Sequence, residues 1–231
     1  MHKVCLYYTH HRCDPAIEHA CRTQLDAARG DIPLVAVGLE PMDYGDVTLT
    51  LPYQPGPLTL HRQILAGLEV MWRDTEWVYF TECDVLYHPS HFEVDPKMYL
   101  TFTYNANVWK ARYSDGHCVW TDNLEQTSGL VAHHSLLLDH YRRRVREIER
   151  DGFDCHYEPG SKTSEHGSVQ WYAHHPNLDI RHGRNTTRAK WHPSEFRNQR
   201  YARGWKETDE VDGWGVTAEV MEAIREGRYA A

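Results

Sequence analysis

An α/β fold built on a parallel sheet is what the first third of the chain predicts, from three observations. Apolar runs rich in β-branched and aromatic residues recur as KVCLYYT (3–9), IPLVAVGL (32–39) and WVYF (77–80). The stretches between them have helical spacing and helix-boundary residues. The third run then breaks into Glu82-Cys83-Asp84, placing acid where the strands of such a sheet meet their ligands.

Each element follows in turn. KVCLYYT reads as a buried strand. Asp14-Pro15 supplies an N-cap and a first-turn proline to a helix that runs to Gly30. IPLVAVGL is the second strand, and the Pro/Gly-rich LPYQPGP (51–57) leads into a second helix, LTLHRQILAGLEVMWRD (58–74). In that helix Leu60, Ile64, Leu65 and Leu68 return at helical spacing. WVYF is the third strand. Strand, helix, strand, helix, strand demands parallel pairing through right-handed crossovers, a Rossmann-like βαβαβ unit.

The texture then changes. MYLTFTY (98–104), VWKARY (108–113) and CVWTD (118–122) read as shorter strands, joined by turns at Asn105-Ala106-Asn107 and Asp115-Gly116. SLLLDHYRRRVREIERDG (135–152) is a helix with leucines on one side, arginines on the other and a terminal glycine. The 231 residues can bury a sizeable core. The expected organisation is a single domain, with a nucleotide-binding half at 1–97 and a mixed-sheet half with a basic C-terminal segment at 98–231.

Composition narrows the classes. His2 and Lys3 precede only a short apolar run before His10, His11 and Arg12, and no long apolar stretch follows, so a cytoplasmic protein without a membrane partner is expected. Cys5, Cys13, Cys21, Cys83, Cys118 and Cys155 are scattered without a C-x-x-C pair, which favours reduced thiols over a disulfide framework or structural zinc. The formal charge of −8 is uneven. Between Arg181 and Lys206, eight basic residues face only Glu195, a local +7 that leaves −15 for the remainder. Trp191, Phe196, Tyr201 and Trp205 interleave with these charges, which suits a polyanion such as a diphosphate or a nucleic-acid backbone. A solvated face of snorkelling arginines is the competing reading.

Two clusters carry chemistry. In an extended segment Glu82 and Asp84 point the same way, and paired hard oxygen donors suit Mn2+ or Mg2+. A solvated acidic turn is the alternative. The second cluster, LDIRHGRNTTR (178–188), offers Arg181, a histidine able to complete a metal site in His182, and close backbone approach at Gly183.

The βαβαβ start, the acidic E-x-D closing a buried strand, the mixed second half and the late histidine together resemble a glycosyltransferase of the GT-A fold. The resemblance implies a nucleotide-sugar donor, with UDP-sugar as the family's usual choice, whose diphosphate is held by Mn2+ or Mg2+. By position it implies that Asp84 ligates the metal, that Glu82 touches the ribose or a metal-bound water, and that His182 is the late ligand. Glu82 departs from the commoner first aspartate. Tyr8, Thr9 and His10 would face the donor base, with Tyr8 as simple core the alternative. Arg181 or Lys190 would neutralise the leaving diphosphate. An inverting reaction needs a carboxylate to take the acceptor proton. Glu165 in KTSEHGSVQWY is preferred, with Asp122 and Glu125 of WTDNLEQTSGL as the other candidates, and a retaining route stays open.

ECDVLYHPSHF and DIRHG-x-N also look like segments of small phage-type transferases of DNA hypermodification. That likeness implies a hydroxymethylated pyrimidine in double-stranded DNA as acceptor and the host cytoplasm as compartment. Trp109, Trp120 or Trp171 would stack on a flipped base. Alternatives are a small-molecule or glycan acceptor, a metal-dependent phosphoesterase using His10-His11, His133-His134 or His174-His175, and a non-catalytic nucleic-acid-binding protein.

Overall fold

Alternation along the first strand sets the layering of the molecule. In β1 (Lys3–Tyr8), Val4, Leu6 and Tyr8 enter one apolar cluster while Cys5 and Tyr7 enter another, as period-two side chains on a sheet buried on both faces must. The computed structural model describes residues 2–10, 12–122, 125–153, 159, 166–183 and 204–231. Helix α1 (Pro15–Arg29) opens at Asp14, whose carboxylate accepts from the Ala16 N–H, and closes at Gly30 with φ of 55°. It buries Ile17, Cys21 and Leu25 on the Cys5/Tyr7 face. After β2 (Leu34–Gly38) comes a strand the sequence did not announce, β3 (Val47–Thr50), a short edge with alternate residues exposed. Helix α2 (Pro57–Glu69) covers the opposite face with Ile64 and Leu68, and stops at Glu69 rather than Asp74. Each such fully buried aliphatic side chain contributes about 1.5–3 kcal/mol.

Strand β4 (Trp77–Glu82) is the middle of seven. It is followed by β5 (Val85–Leu86), β6 (Phe102–Asn105), β7 (Val108–Arg112), β8 (Cys118–Trp120) and β9 (Leu130–His133). Helix α3 (His134–Asp151) ends at Gly152 as expected, and beside α2 it lays Leu136, Leu137 and Tyr141 on the sheet. The chain closes with β10 (Ser168–Trp171), β11 (Asn177–Arg181), β12 (Lys206–Thr208), β13 (Glu210–Val211), β14 (Gly215–Val216) and α4 (Thr217–Arg225). The larger sheet runs β10-β6-β9-β4-β1-β2-β3, with β4, β1, β2 and β3 parallel and β9 antiparallel to both β4 and β6. A smaller sheet runs β12-β8-β7-β11-β5. The architecture is a mixed α/β fold.

One turn behaves differently from expectation. Asn105-Ala106-Asn107 does not fold β6 back on β7, because it carries the chain from the larger sheet to the smaller. The buried Asn105 side chain satisfies that crossing, its Oδ1 accepting from the N–H groups of Asn107 (3.0 Å) and Ala173 (3.2 Å). Asp115-Gly116 does join β7 to its antiparallel neighbour β8, with Gly116 at φ of 77°. Among the described residues Cys5, Cys13, Cys21, Cys83 and Cys118 are free and buried, and no helix is long and apolar enough to cross a membrane.

Candidate active site at the carboxyl ends of the strands

Strand β1 lies between β4 and β2, pairing Tyr8 with Glu82 on one side and with Val37 on the other. The chain leaves β1 for β2 on one side and later returns, after β3, to β4 on the other. In α/β sheets the crevice at such a reversal, beyond the carboxyl ends, is where ligands sit. Tyr8, Thr9 and His10 from β1 meet Glu82, Cys83 and Asp84 from β4 there.

Glu82 is the last residue of β4. Tyr8 Oη donates to its Oε1 at 2.6 Å, and its backbone N–H donates to Tyr87 Oη at 3.0 Å. Burial first, and the Asp84 charge second, push its carboxyl up to about 8, so at neutral pH Glu82 is mainly a neutral acid. Cys83 and Asp84 form the turn into β5. Cys83 points into the core among Cys13, Cys21 and Val85.

The backbone brings the second cluster here. β5 pairs antiparallel with β11, and the Ile180 N–H donates to the Asp84 carbonyl at 2.8 Å, which pins β11 beside the turn. Two residues on, His182 Nε2 lies 3.5 Å from Asp84 Oδ2 and 3.7 Å from Cys13 Sγ, with only 5% of the His182 side chain exposed. Asp179 and Arg181, two apart on β11, face the same way, and Arg181 Nη1 reaches both Asp179 oxygens at 3.2 Å. Gln126 Nε2 donates to Asp179 Oδ2 at 3.1 Å. Burial raises the Asp179 carboxyl above the usual range, opposed mainly by Arg181. Burial lowers His10, opposed by the Asp84 charge. The rim therefore concentrates three carboxyl groups, one guanidinium and two imidazoles within electrostatic reach of one another.

Of the residues singled out by sequence, Glu82, Asp84, Arg181 and His182 are brought together. Tyr8 is buried with its ring edge-on to Phe80, so its hydroxyl rather than its face reaches the site. Thr9 is buried, its N–H donating to the Val37 carbonyl at 3.1 Å. Asp122 lies against Gly204, and Glu125 accepts from Ser168 Oγ at 2.7 Å. Glu165, Lys190, His11 and Cys155 lie outside the described residues, as does most of the basic segment. Trp171 stacks on the buried His91, Trp120 carries the Lys206 ammonium 4.6 Å over its ring, and Trp109 packs on the core. His133 and His134 are tied to Ser135 Oγ and the Leu68 carbonyl, and His175 to Asp212. Among the described residues no group of three or more His, Cys, Asp or Glu has the geometry of a metal cage.

Asp179, Gln126, Tyr87 and Cys13 were not assigned to the site by sequence. An aspartate two residues before an arginine on an apolar strand is the signal that would have found Asp179. Nothing local marks Gln126. No protein-family model matches the chain, and no curated protein matches it in sequence.

Proposed function

We propose that the protein is a metal-dependent glycosyltransferase of the GT-A type, moving a sugar from a nucleotide-sugar donor to a hydroxyl acceptor. The observation that carries this reading is the approach of His182 to within 3.5 Å of Asp84, although the two lie far apart in sequence, at the carboxyl-end crevice of a parallel sheet. A carboxylate oxygen suits Mn2+ or Mg2+ and an imidazole nitrogen can serve Mn2+ as a further donor, and with two such donors among the described residues the other positions would fall to diphosphate oxygens and water. The residues present therefore fit an ion held jointly by protein and nucleotide. When bound, such an ion neutralises charge on the leaving diphosphate.

The chain's own residues do the rest. Arg181 adds a fixed positive charge beside the crevice, and Lys190 is proposed to join it. Glu82 presents its carboxyl to a donor hydroxyl, while Tyr8 fixes its orientation. Asp122 and Glu165 are the carboxylates proposed to take the acceptor proton in an inverting reaction. A UDP-sugar is the proposed donor, and a hydroxymethylated pyrimidine in double-stranded DNA the proposed acceptor. The acceptor assignment draws its support from the +7 segment between Arg181 and Lys206.

A thermal-shift screen of nucleoside diphosphates and nucleotide sugars, with Mn2+ or EDTA, tests the donor. A metal-dependent rise in Tm is expected, and no shift with any donor contradicts the reading. Incubation with hydroxymethylcytosine DNA and pooled donors, read by nucleoside mass spectrometry, tests the acceptor. Turnover on a small sugar beside an unchanged nucleoside profile retires the DNA assignment.

A further inference from the structure

We propose that Gln126 and Arg181, both held by Asp179, form a subsite that recognises a hydroxyl of the donor's sugar ring; the assignment rests on the nucleotide-sugar reading above. Asp179 is only 3% exposed and accepts from both partners, Gln126 Nε2 at 3.1 Å and Arg181 Nη1 at 3.2 Å. A carboxylate offers only acceptors, so the Gln126 amide must turn its NH2 to Asp179 and its oxygen away. What remains is informative. Gln126 Oε1 and Arg181 Nε are both buried without a hydrogen-bond partner among the described residues. One is an acceptor and the other a donor, and both belong to side chains anchored on the same carboxylate.

Chemistry narrows what completes them. A phosphate oxygen only accepts, and would meet Gln126 Oε1 lone pair against lone pair. A cation is repelled by the Arg181 guanidinium. A hydroxyl does both, accepting from Arg181 Nε–H while donating to Gln126 Oε1. A buried polar pair left unmatched is costly, so a group that completes it gains affinity. An ordered water satisfies the same pair when no donor is bound, and the sugar hydroxyl takes its place.

The segment that follows Gln126 is tied into the fold. It directly precedes Thr127–Gly129, where the Ser128 carbonyl accepts from Tyr87 Oη at 3.1 Å. Gly129 lies so close to Asn105 that a Cβ there would come within 2.8 Å of the Asn105 carbonyl oxygen. The same Tyr87 hydroxyl accepts from the Glu82 N–H, which ties the Gln126 segment to the end of β4. The subsite and the proposed diphosphate clamp are thus set by one framework.

Isothermal titration with Mn2+ tests the assignment on the whole chain. The probes are UDP, UDP-glucose, UDP-galactose, UDP-N-acetylglucosamine, GDP and GDP-mannose, against wild type, Gln126→Leu and Gln126→Met. For whichever nucleotide sugar wild type binds, either variant should lose about tenfold in affinity. Affinity for the matching nucleoside diphosphate should stay within about twofold. A deoxyfluoro donor lacking the recognised hydroxyl should bind wild type and variants alike. Equal losses for sugar and diphosphate overturn the proposal, because Gln126 then supports the whole crevice. Unchanged affinities overturn it too, because the pair then holds a structural water only. If wild type binds no nucleotide at all, the glycosyltransferase reading fails before any variant is compared, and the subsite falls with it. Circular dichroism confirms folding, and Gln126→Met, close to isosteric, keeps the comparison alive should the leucine variant unfold.

Discussion

The two ends of the larger sheet treat charge differently. At the amino ends, His2, Lys3, Asp31 and Asp74 line a cleft of about 510 Å³ beside Trp72, where the Lys3 ammonium donates to the Phe92 and Val94 carbonyls and the His2 and Asp74 side chains stay exposed. The His2–Asp74 pair there is 66% exposed on both sides. At the carboxyl ends, Asp179 and Arg181 are sealed against each other at 5% and 11% side-chain exposure, with Glu82, Asp84 and His182 beside them. Exposed pairs are worth about 0–1 kcal/mol, whereas buried charge is tolerated only in compensated arrangements and clusters at functional sites. Open volume alone points to the amino ends. Buried, mutually held charge selects the rim.

The largest expected effect is at that rim. Asp84→Ala should abolish the Mn2+-dependent stabilisation by a nucleoside diphosphate, a loss of about 2.7 kcal/mol at a ligand concentration of one hundred times Kd. Thermal shift reads it, and a retained shift removes Asp84 from the metal site. Next comes the body shared by both ends. Gly67 of α2 sits where a Cβ would strike the Leu6 and Val37 side chains, so Gly67→Ala should lower stability by about 1–3 kcal/mol in urea unfolding. The ligand-dependent shift should survive it.

His140 separates body from rim by pH. Burial pushes its imidazole down to about 3, its ring packs edge-on against Phe102 and Tyr141, and neither ring nitrogen has a hydrogen-bond partner among the described residues. The folded state keeps it neutral while the unfolded chain protonates it below about 6.5, so its contribution is fully present above that pH and is lost as pH falls toward 3. His140→Phe should remove on the order of 1–2 kcal/mol of the destabilisation seen between pH 6.5 and 5. An unchanged acid slope in urea unfolding contradicts this. The smallest effect belongs to the opposite cleft, where Asp74→Ala should stay within about 0.5 kcal/mol of wild type and leave the nucleotide shift intact.

Much of the first half was legible because its signals are local. The Asp14-Pro15 start of α1, the glycine at its end and the period-two alternation of β1 each act within a few residues. Glu82 and Asp84 were readable because an apolar run ended in acid. The second half resisted for physical reasons. β5, β13 and β14 are two residues each, too short for any periodicity, and β6 and β7 are neighbours in sequence but belong to different sheets. Gln126 enters the site only through the long-range placement of Asp179, and no local pattern encodes that. His182 was found by its neighbourhood, yet the bond that seats it, from the Ile180 N–H to the Asp84 carbonyl, is a property of sheet pairing.

The central claim is that Asp84 and His182 jointly hold a divalent ion for a nucleoside diphosphate. Titration of UDP and GDP into the protein, in Mn2+ and then in EDTA, with His182→Ala in parallel, tests it most directly. The account predicts binding of at least one diphosphate in Mn2+, none in EDTA, and loss in the variant. Binding that is indifferent to both metal and His182, or no binding under any condition, contradicts it.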